Sequence, residues 1–400
     1  MSKKLLLLGG SRYALPVIES AHKMDCKVIT CDYLPGNIAH RHSDGYENIN
    51  IVDKKAVLET ASRLNVDGIM SFACDPGVTT AAYVAEKLGL PSCGSYESVS
   101  ILQNKKKFRK LLVEHGFNVP KSDGFKSASE ALKQITEFCF PVIVKPTDSA
   151  GSKGVTKVDE IKALKPAIEH ALNNSIGKEF IIEEFLESKG HPSDSECFSI
   201  NGDLQFVSYS SQRFDKKCGN PYTPAAFTWI PTISEKQQSY LTSELQRLLK
   251  ILHMGTSIYN VESRESIDGK AYIMEVSPRG GGNRLAEMIR FSTGVDLIEY
   301  AVKAALGDPI GPLPVGHFDE LWAEIILHSR YGGIFKELHI FDKLKKFVVE
   351  TDLWVSKGDR IETFSGANRA IGTLVLRFED KATMFEVMEK SSEYIMVETE

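Results

Sequence analysis

Along the first hundred residues, short apolar runs alternate with stretches of helical periodicity. Residues 5–8 are four leucines closed by Gly9-Gly10, 27–32 (KVITCD) and 67–72 (DGIMSF) are further apolar runs, and 49–52 is a weaker one. Between them, 13–24, 54–64 and 79–88 read as helices, the last ended by Gly89. Apolar runs of this kind, separated by helices of this length, predict βαβ units and a parallel sheet. Ligands of such sheets sit beyond the carboxyl ends of the strands, so the loops at 9–12, 32–36 and 73–77 are the expected functional edge.

From residue 98 the pattern changes. Residues 98–115 read as one lysine-rich amphipathic helix, and the strands that follow come in antiparallel-looking pairs. Strands are expected at 140–145, 155–158 and 180–185. The runs 196–200 and 204–210 flank Asn201-Gly202, a type I′ hairpin signal. The runs 259–267 and 270–276 flank Asp268-Gly269, a second hairpin. Helices are expected at 236–253, 285–293 and 296–306. A Pro/Gly-rich connector at 308–316 then leads to a β-rich end.

Composition narrows the class. The chain has 400 residues, 25 % charged and 42 % hydrophobic, which excludes a mainly disordered chain and suits about two to three domains. Its 48 Lys+Arg against 53 Asp+Glu leave a net charge of −5, so there is no whole-chain basic footprint and no nucleic-acid partner is expected. No apolar run approaches the roughly 18–20 residues of a spanning helix, and the leucine run is too short for a signal segment; no membrane partner is expected. The 7 cysteines are odd in number, scattered and without a C-x-x-C pair. They read as reduced thiols, and the expected location is cytoplasmic.

The second hairpin carries the most chemistry. A two-residue turn at Asp268-Gly269 pairs Ile267 with Lys270, which puts Glu262 opposite Glu275 and Asn260 opposite Ser277, with Arg279 beyond. Opposed carboxylates repel across a sheet, and a hard divalent cation such as Mg²⁺ compensates them; the other reading is a solvated face. A second feature is PVIVKPTDSAGSKG, where an apolar strand delivers Lys145 to a Gly/Ser loop suited to phosphate oxygens, or to no ligand at all. It is not a Walker sequence, and Gly9-Gly10-Ser11 lacks G-x-G-x-x-G. The third is FIIEEFL, whose adjacent Glu183 and Glu184 put at least one acid inward or at a ligand such as an adenine, unless they mark an edge strand. Glu196 follows as a candidate for ribose hydroxyls.

In this order the motifs NKKKFRKLL, FPVIVKPTDSAGSKGV, FIIEEFL and NVESRESIDGKAYIMEVSPRGGG make residues 98–312 resemble the ATP-grasp superfamily. The nearest branch holds amino-acid ligases and carbamoyl-phosphate-synthase-like proteins. The resemblance implies an α/β and α+β chain. Residues 1–97 are then a Rossmann-like parallel-sheet domain, and 98–315 an ATP-grasp fold of two α+β subdomains, with nucleotide between about 98–186 and 187–315. Residues 316–400 form a small C-terminal β-rich α+β module, whose VSKGDRIETFSGANRAIGTLVLRF looks like the end of dipeptide-forming ligases. It further implies ATP and Mg²⁺ (with Mn²⁺ as a substitute), small-molecule carboxylate and amine substrates, and a homodimer. By position, Lys105 and Lys145 bind phosphates, with Lys145 also catalytic, and Ser149, Gly151, Ser152 and Gly154 form a lid. Glu183, Glu184, Phe185 and Leu186 line the adenine pocket, and Glu196 holds ribose. Glu262 and Glu275 bind metal. Arg279 is catalytic and holds the transferred phosphate. Many members have Asn where this chain has Ser277, whose oxygen is the expected third metal ligand.

The leading expectation is a ligase that activates a carboxylate as an acyl phosphate for attack by an amine, releasing ADP and phosphate. The alternatives are a purine-pathway-like enzyme using formate or bicarbonate on a ribonucleotide, and a non-catalytic ATP-binding protein. A Rossmann oxidoreductase lacks its glycine fingerprint.

Overall fold

The computed structural model describes residues 2–316 and 320–400. The first sheet is parallel, in the order Gly45–Glu47, Lys27–Cys31, Lys4–Leu8, Gly68–Ser71. Lys4–Leu8 lies inside it, with Leu5, Leu6, Leu7 and Leu8 all 0 % exposed, which is why it reads as an unbroken apolar run. The expected strand at 49–52 is absent. The third strand forms earlier, at Gly45–Glu47, and 49–52 instead leads to Asp53, whose side chain caps the helix Lys54–Leu64. Likewise the expected helix at 13–24 opens with a 3-10 turn, Arg12–Ala14, before Leu15–Lys23.

The expected single helix at 98–115 is two helices, Tyr96–Leu102 and Lys105–Glu114. Asn104 divides them. Its extended backbone (φ −120°, ψ 109°) and its side chain, which accepts from Lys107 N–H at 3.0 Å, make it a helix N-cap. The break puts Lys105 at the first helical position and Arg109 one turn behind it on the same face.

Two antiparallel sheets follow. One runs Ser122–Phe125, Phe180–Glu184, Val142–Pro146, Thr156–Val158. Its apolar face (Val142, Val144, Phe180, Ile182) packs with the helix Leu164–Asn173, so Ile143, Lys145, Ile181 and Glu183 share the other face. The second runs Asp203–Val207, Ser193–Ile200, Ser257–Glu265, Ala271–Ser277 and packs on the helix Glu235–Ile251 through Tyr259, Ile273, Val276, Leu241, Leu245 and Leu248. Its other face carries the polar residues considered below.

The last part of the chain is less separate than its connector suggests. Ser211–Phe214 and Pro224–Thr228 join Leu321–Leu327, Gly372–Phe378 and Val348–Leu353 in one sheet. Arg360–Ile361, Gly333–Ile340 and Ile395–Thr399 make the last sheet. No helix among the described residues is long and apolar enough to cross a membrane.

The two hairpins differ in a way the sequence hides. At Asn201-Gly202 both residues have positive φ (52° and 78°), and Ile200 pairs with Asp203, a two-residue turn as expected. At Asp268-Gly269 the loop is one residue longer. Ser266 pairs with Lys270, and Gly269 (φ 78°) donates to Ser266 C=O at 2.9 Å. This is a type I turn closed by a left-handed glycine. Glu265 then faces Ala271 and Ser263 faces Ile273, one residue off the expected register. A bulge on the second strand leaves Met274 unpaired and restores it, so Glu262 does face Glu275 and Asn260 does face Ser277.

Gly202 and Gly269 offer a direct comparison, since both have φ 78°. A Cβ on Gly202 would lie 2.5 Å from Met254 O, whereas one on Gly269 meets nothing within 4 Å. Gly269→Ala should cost about 1–2 kcal/mol of backbone strain, and Gly202→Ala about 1–3 kcal/mol more. Equal losses in urea unfolding midpoints would refute the packing argument.

Candidate active site

The polar face of the sheet that contains Ser257–Glu265 is laid out in two rows. Asp194, Glu262 and Glu275 lie directly across three adjacent strands; Glu196, Asn260 and Ser277 form the next row. Three carboxylates in line repel strongly. Burial and the charge of Glu262, with Glu275 adding, push the Asp194 carboxyl up to about 7. Cations gather against the row. Lys105 Nζ lies 3.3 Å from Glu275, Arg264 Nη2 3.1 Å from Glu262, and Asn260 Nδ2 donates to Asp194 at 2.7 Å.

Ser277 and Arg279 face a partner from the first domain. Arg279 makes a two-pronged ion pair with Asp75, Nε at 3.0 Å and Nη2 at 2.7 Å. Ser277 Oγ donates to the same carboxylate at 2.9 Å and accepts from Gln103 Nε2 at 2.7 Å, and is 1 % exposed. Asp75 opens the helix Asp75–Leu88, where the helix dipole favours an anion. Burial raises its carboxyl, but Arg279 outweighs that and holds it below its ordinary range.

The facing wall is the sheet that carries Lys145. Glu183 is 2 % exposed and takes Lys145 Nζ on one oxygen and Arg109 Nε on the other, the latter at 2.7 Å. Burial alone would raise the Glu183 carboxyl, yet the two cations hold it at about 2. Burial also lowers Lys145 below the usual lysine range, against the pull of Glu183. Both terminal nitrogens of Arg109 are buried without a partner among the described residues. One carboxylate against two cations leaves this wall positive, opposite a wall that is negative.

The remaining expected residues fall as follows. Glu184 turns to the other face and accepts from Cys139 N–H at 2.9 Å, and the backbone N–H of Phe185 donates to Pro141 C=O at 3.0 Å. The next residue is Leu186, just past the strand Phe180–Glu184. Glu196, expected at ribose, is 1 % exposed and accepts from Gly281 N–H; burial raises it to about 8. The loop 149–154 spans the gap. Lys105 Nζ donates to Ser149 C=O at 2.8 Å, and Ser152 Oγ to Tyr222 C=O at 2.9 Å. Gly151, Ser152 and Gly154 all have positive φ.

Five residues in this arrangement were not singled out from sequence: Arg109, Asp194, Arg264, Gln103 and Asp75. Arg109 had a signal, since it follows Lys105 by four in a helix. Asp194 had one too, because it alternates with Glu196 on a strand that begins at Ser193 rather than at 196. Asp75 lay in the loop 73–77 expected at the functional edge, but only the fold brings it to Ser277 and Arg279; Gln103 had no signal.

Two predictions follow from these ion pairs. Asp75→Ala leaves a buried guanidinium unpaired and should cost about 3–5 kcal/mol in urea unfolding; a change within about 1 kcal/mol would show that Arg279 finds other partners. Glu183 has an ordinary value of 4.5 and a folded value of about 2, so its stabilisation is complete above pH 4.5 and lost as pH falls through about 2. In Glu183→Gln the unfolding free energy should therefore lose this part of its acid slope, and an unchanged slope would refute the pairing.

Residues 138–287 match the family described as ATP-grasp domain. The chain is 28 % identical over 236 residues to the carbamoyl phosphate synthase large chain of a Thermoanaerobacter species, covering 58 % of this chain and 21 % of that one. It thus spans about a fifth of the length of those curated relatives. It is 26 % identical over 314 residues to the formate-dependent phosphoribosylglycinamide formyltransferase of Bacteroides thetaiotaomicron, covering 77 % and 78 % of the two chains. Among solved structures, the L-amino acid ligase from Bacillus licheniformis superposes with a TM-score of 0.82 at 19 % identity, covering 100 % of this chain and 99 % of that one. N5-carboxyaminoimidazole ribonucleotide synthetase from Thermotoga maritima gives 0.76 at 18 %, covering 100 % of both. Residues 138–287, which carry most of the two antiparallel sheets, thus match an ATP-grasp domain.

Proposed function

We propose that this chain is an ATP- and Mg²⁺-dependent ligase that activates a carboxylate as an acyl phosphate for attack by an amine, releasing ADP and phosphate. One observation carries the reading: a row of three carboxylates, Asp194, Glu262 and Glu275, stands across a cleft from Lys145 and Arg109, with Lys105 between. Such walls suit a polyphosphate together with a cation.

The donor set fits a hard divalent cation, because three carboxylates share one row of a sheet face in excess of the side-chain cations paired with them. Glu262 and Glu275 would hold it, with Asp194 as the third ligand in preference to Ser277, whose oxygen serves Asp75 and Gln103. Mg²⁺ bound there, or Mn²⁺ in its place, would neutralise phosphate charge.

The chain's own residues do the rest. Lys105 and Lys145 bind phosphate oxygens. Ser149, Gly151, Ser152 and Gly154 close over them and keep water from the acyl phosphate. The segment Glu184, Phe185 and Leu186 borders the base, and Glu196 holds the Gly281 loop in place near the ribose. Arg279, oriented by Asp75, meets the transferred phosphate, where a planar fork serves better than an ammonium. The substrate carboxylate attacks the γ-phosphorus and ADP leaves; the amine then attacks the carbonyl carbon and phosphate leaves. Small-molecule substrates, a cytoplasmic location and a homodimer belong to the same proposal.

The test is ADP release by the full chain against a panel of carboxylates and amines, with hydroxylamine to trap acyl phosphate. We expect release that needs both a carboxylate and Mg²⁺, and loss of turnover on the order of 10²-fold or more in Glu262→Gln and Glu275→Gln. Release only with formate or bicarbonate and a ribonucleotide would favour the purine-type reading instead. No release with any pair would leave a non-catalytic ATP-binding protein.

A further inference from the structure

The carboxylate of Glu183 is shared in a way that its charge does not require. Glu183 stands on the strand Phe180–Glu184 between Ser122 and Ile143, and Lys145 lies two residues beyond Ile143 on the same face. One carboxylate oxygen takes Lys145 Nζ and the other takes Arg109 Nε at 2.7 Å. Arg109 comes from the helix Lys105–Glu114, and both of its terminal nitrogens are buried without a hydrogen-bond partner among the described residues.

A pair of Glu183 and Lys145 alone would balance, one charge against one. Arg109 leaves the cluster with one net positive charge, and its burial costs desolvation for a single hydrogen bond to Glu183 in return. The nearby Lys105 has its own acid, Glu275 at 3.3 Å. Burial pushes the Lys145 ammonium below the usual lysine range, Glu183 pulls it back, and Arg109 and Lys105 push it down further. Such an excess destabilises the chain without a ligand, and an anion held against it offsets that cost. Lys145 is the cation that can meet the anion, because its side chain is 13 % exposed and that of Arg109 3 %.

We propose that Arg109 is a positioning residue for Lys145: it holds Glu183 and cancels its charge, so that the Lys145 ammonium presents its own charge undiminished to a nucleotide phosphate. The assignment rests on the nucleotide reading above. It accounts for two cations on one carboxylate, and it gives Arg109 a role although its own terminal nitrogens are closed off. With a neutral residue at 109, Glu183 would answer Lys145 alone, and the neutral pair would attract a phosphate less. Arginine suits the position because it keeps its charge when buried, whereas a buried lysine readily gives up its proton.

The test is calorimetric binding to the full chain, so it needs no turnover. The ligands are ADP with Mg²⁺ and adenosine, which share base and ribose and differ in charge. Arg109→Met keeps an unbranched stem in the helix. In that variant Kd for ADP should rise on the order of tenfold, and Kd for adenosine by less than about twofold. Adding Glu183→Gln removes the acid that Arg109 answered and restores one net positive charge, so the double variant should recover most of the ADP affinity. Equal losses for ADP and adenosine would mark Arg109 as structural and overturn the proposal, and so would an unchanged Kd for ADP. A loss that persists in the double variant would show Arg109 meeting the phosphate itself, which also overturns it. If the unaltered chain binds no ADP, the nucleotide reading fails and this proposal with it; a failure confined to the variants leaves that reading standing.

Discussion

Negative charge gathered on one sheet face is the constraint around which the site is organised. Asp194, Glu262 and Glu275 stand directly opposite one another across three strands, where Cβ atoms are about 5 Å apart. At an effective dielectric of about 20, each neighbouring pair repels by about 3 kcal/mol. The surrounding chain supplies Lys105, Arg264 and the Asn260 amide against that repulsion. The array holds its alignment through the bulge at Met274, without which the longer turn would set Glu262 out of register.

Across the cleft the balance is reversed. Glu183 is shared by Lys145 and Arg109, and the spare positive charge faces the acidic wall. The loop at 149–154 joins the two, because Lys105 touches both Glu275 and Ser149 C=O. Its far end rests on other parts of the chain. Asn220 Nδ2 donates to Ser152 C=O at 3.0 Å, and the Asn220 N–H donates to Phe364 C=O at 3.3 Å. The loop is thereby tied to the last part of the chain.

The first domain is coupled to the site just as directly. Asp75, at the carboxyl edge of the parallel sheet, orients Arg279 and Ser277 together, and Tyr13 reaches Asn283. This is the edge where doubly wound sheets receive ligands, here used to position residues of a neighbouring sheet.

Much of this was legible from local signals. Apolar runs and helical periods marked the parallel sheet, Asn201-Gly202 marked its hairpin, and the opposed Glu262 and Glu275 followed from alternation about a turn. Period and turn chemistry act over a few residues, so the sequence carries them openly. Even there the Asp268-Gly269 turn was one residue longer than expected, and the Met274 bulge compensated, because register depends on packing of the whole pair as well as on its turn. What the sequence by itself determined was most of the elements, their order and the acids and bases proposed to bind a phosphate and a metal. Tertiary structure alone decided their partners: Asp75 for Arg279 across 204 residues, Arg109 for Glu183 across 74, and, for the Glu324 buried on the strand Leu321–Leu327, no hydrogen-bond partner among the described residues. Ion pairing and desolvation depend on distance in space, and no spacing along the chain encodes which distant charge a fold will bring close or leave alone.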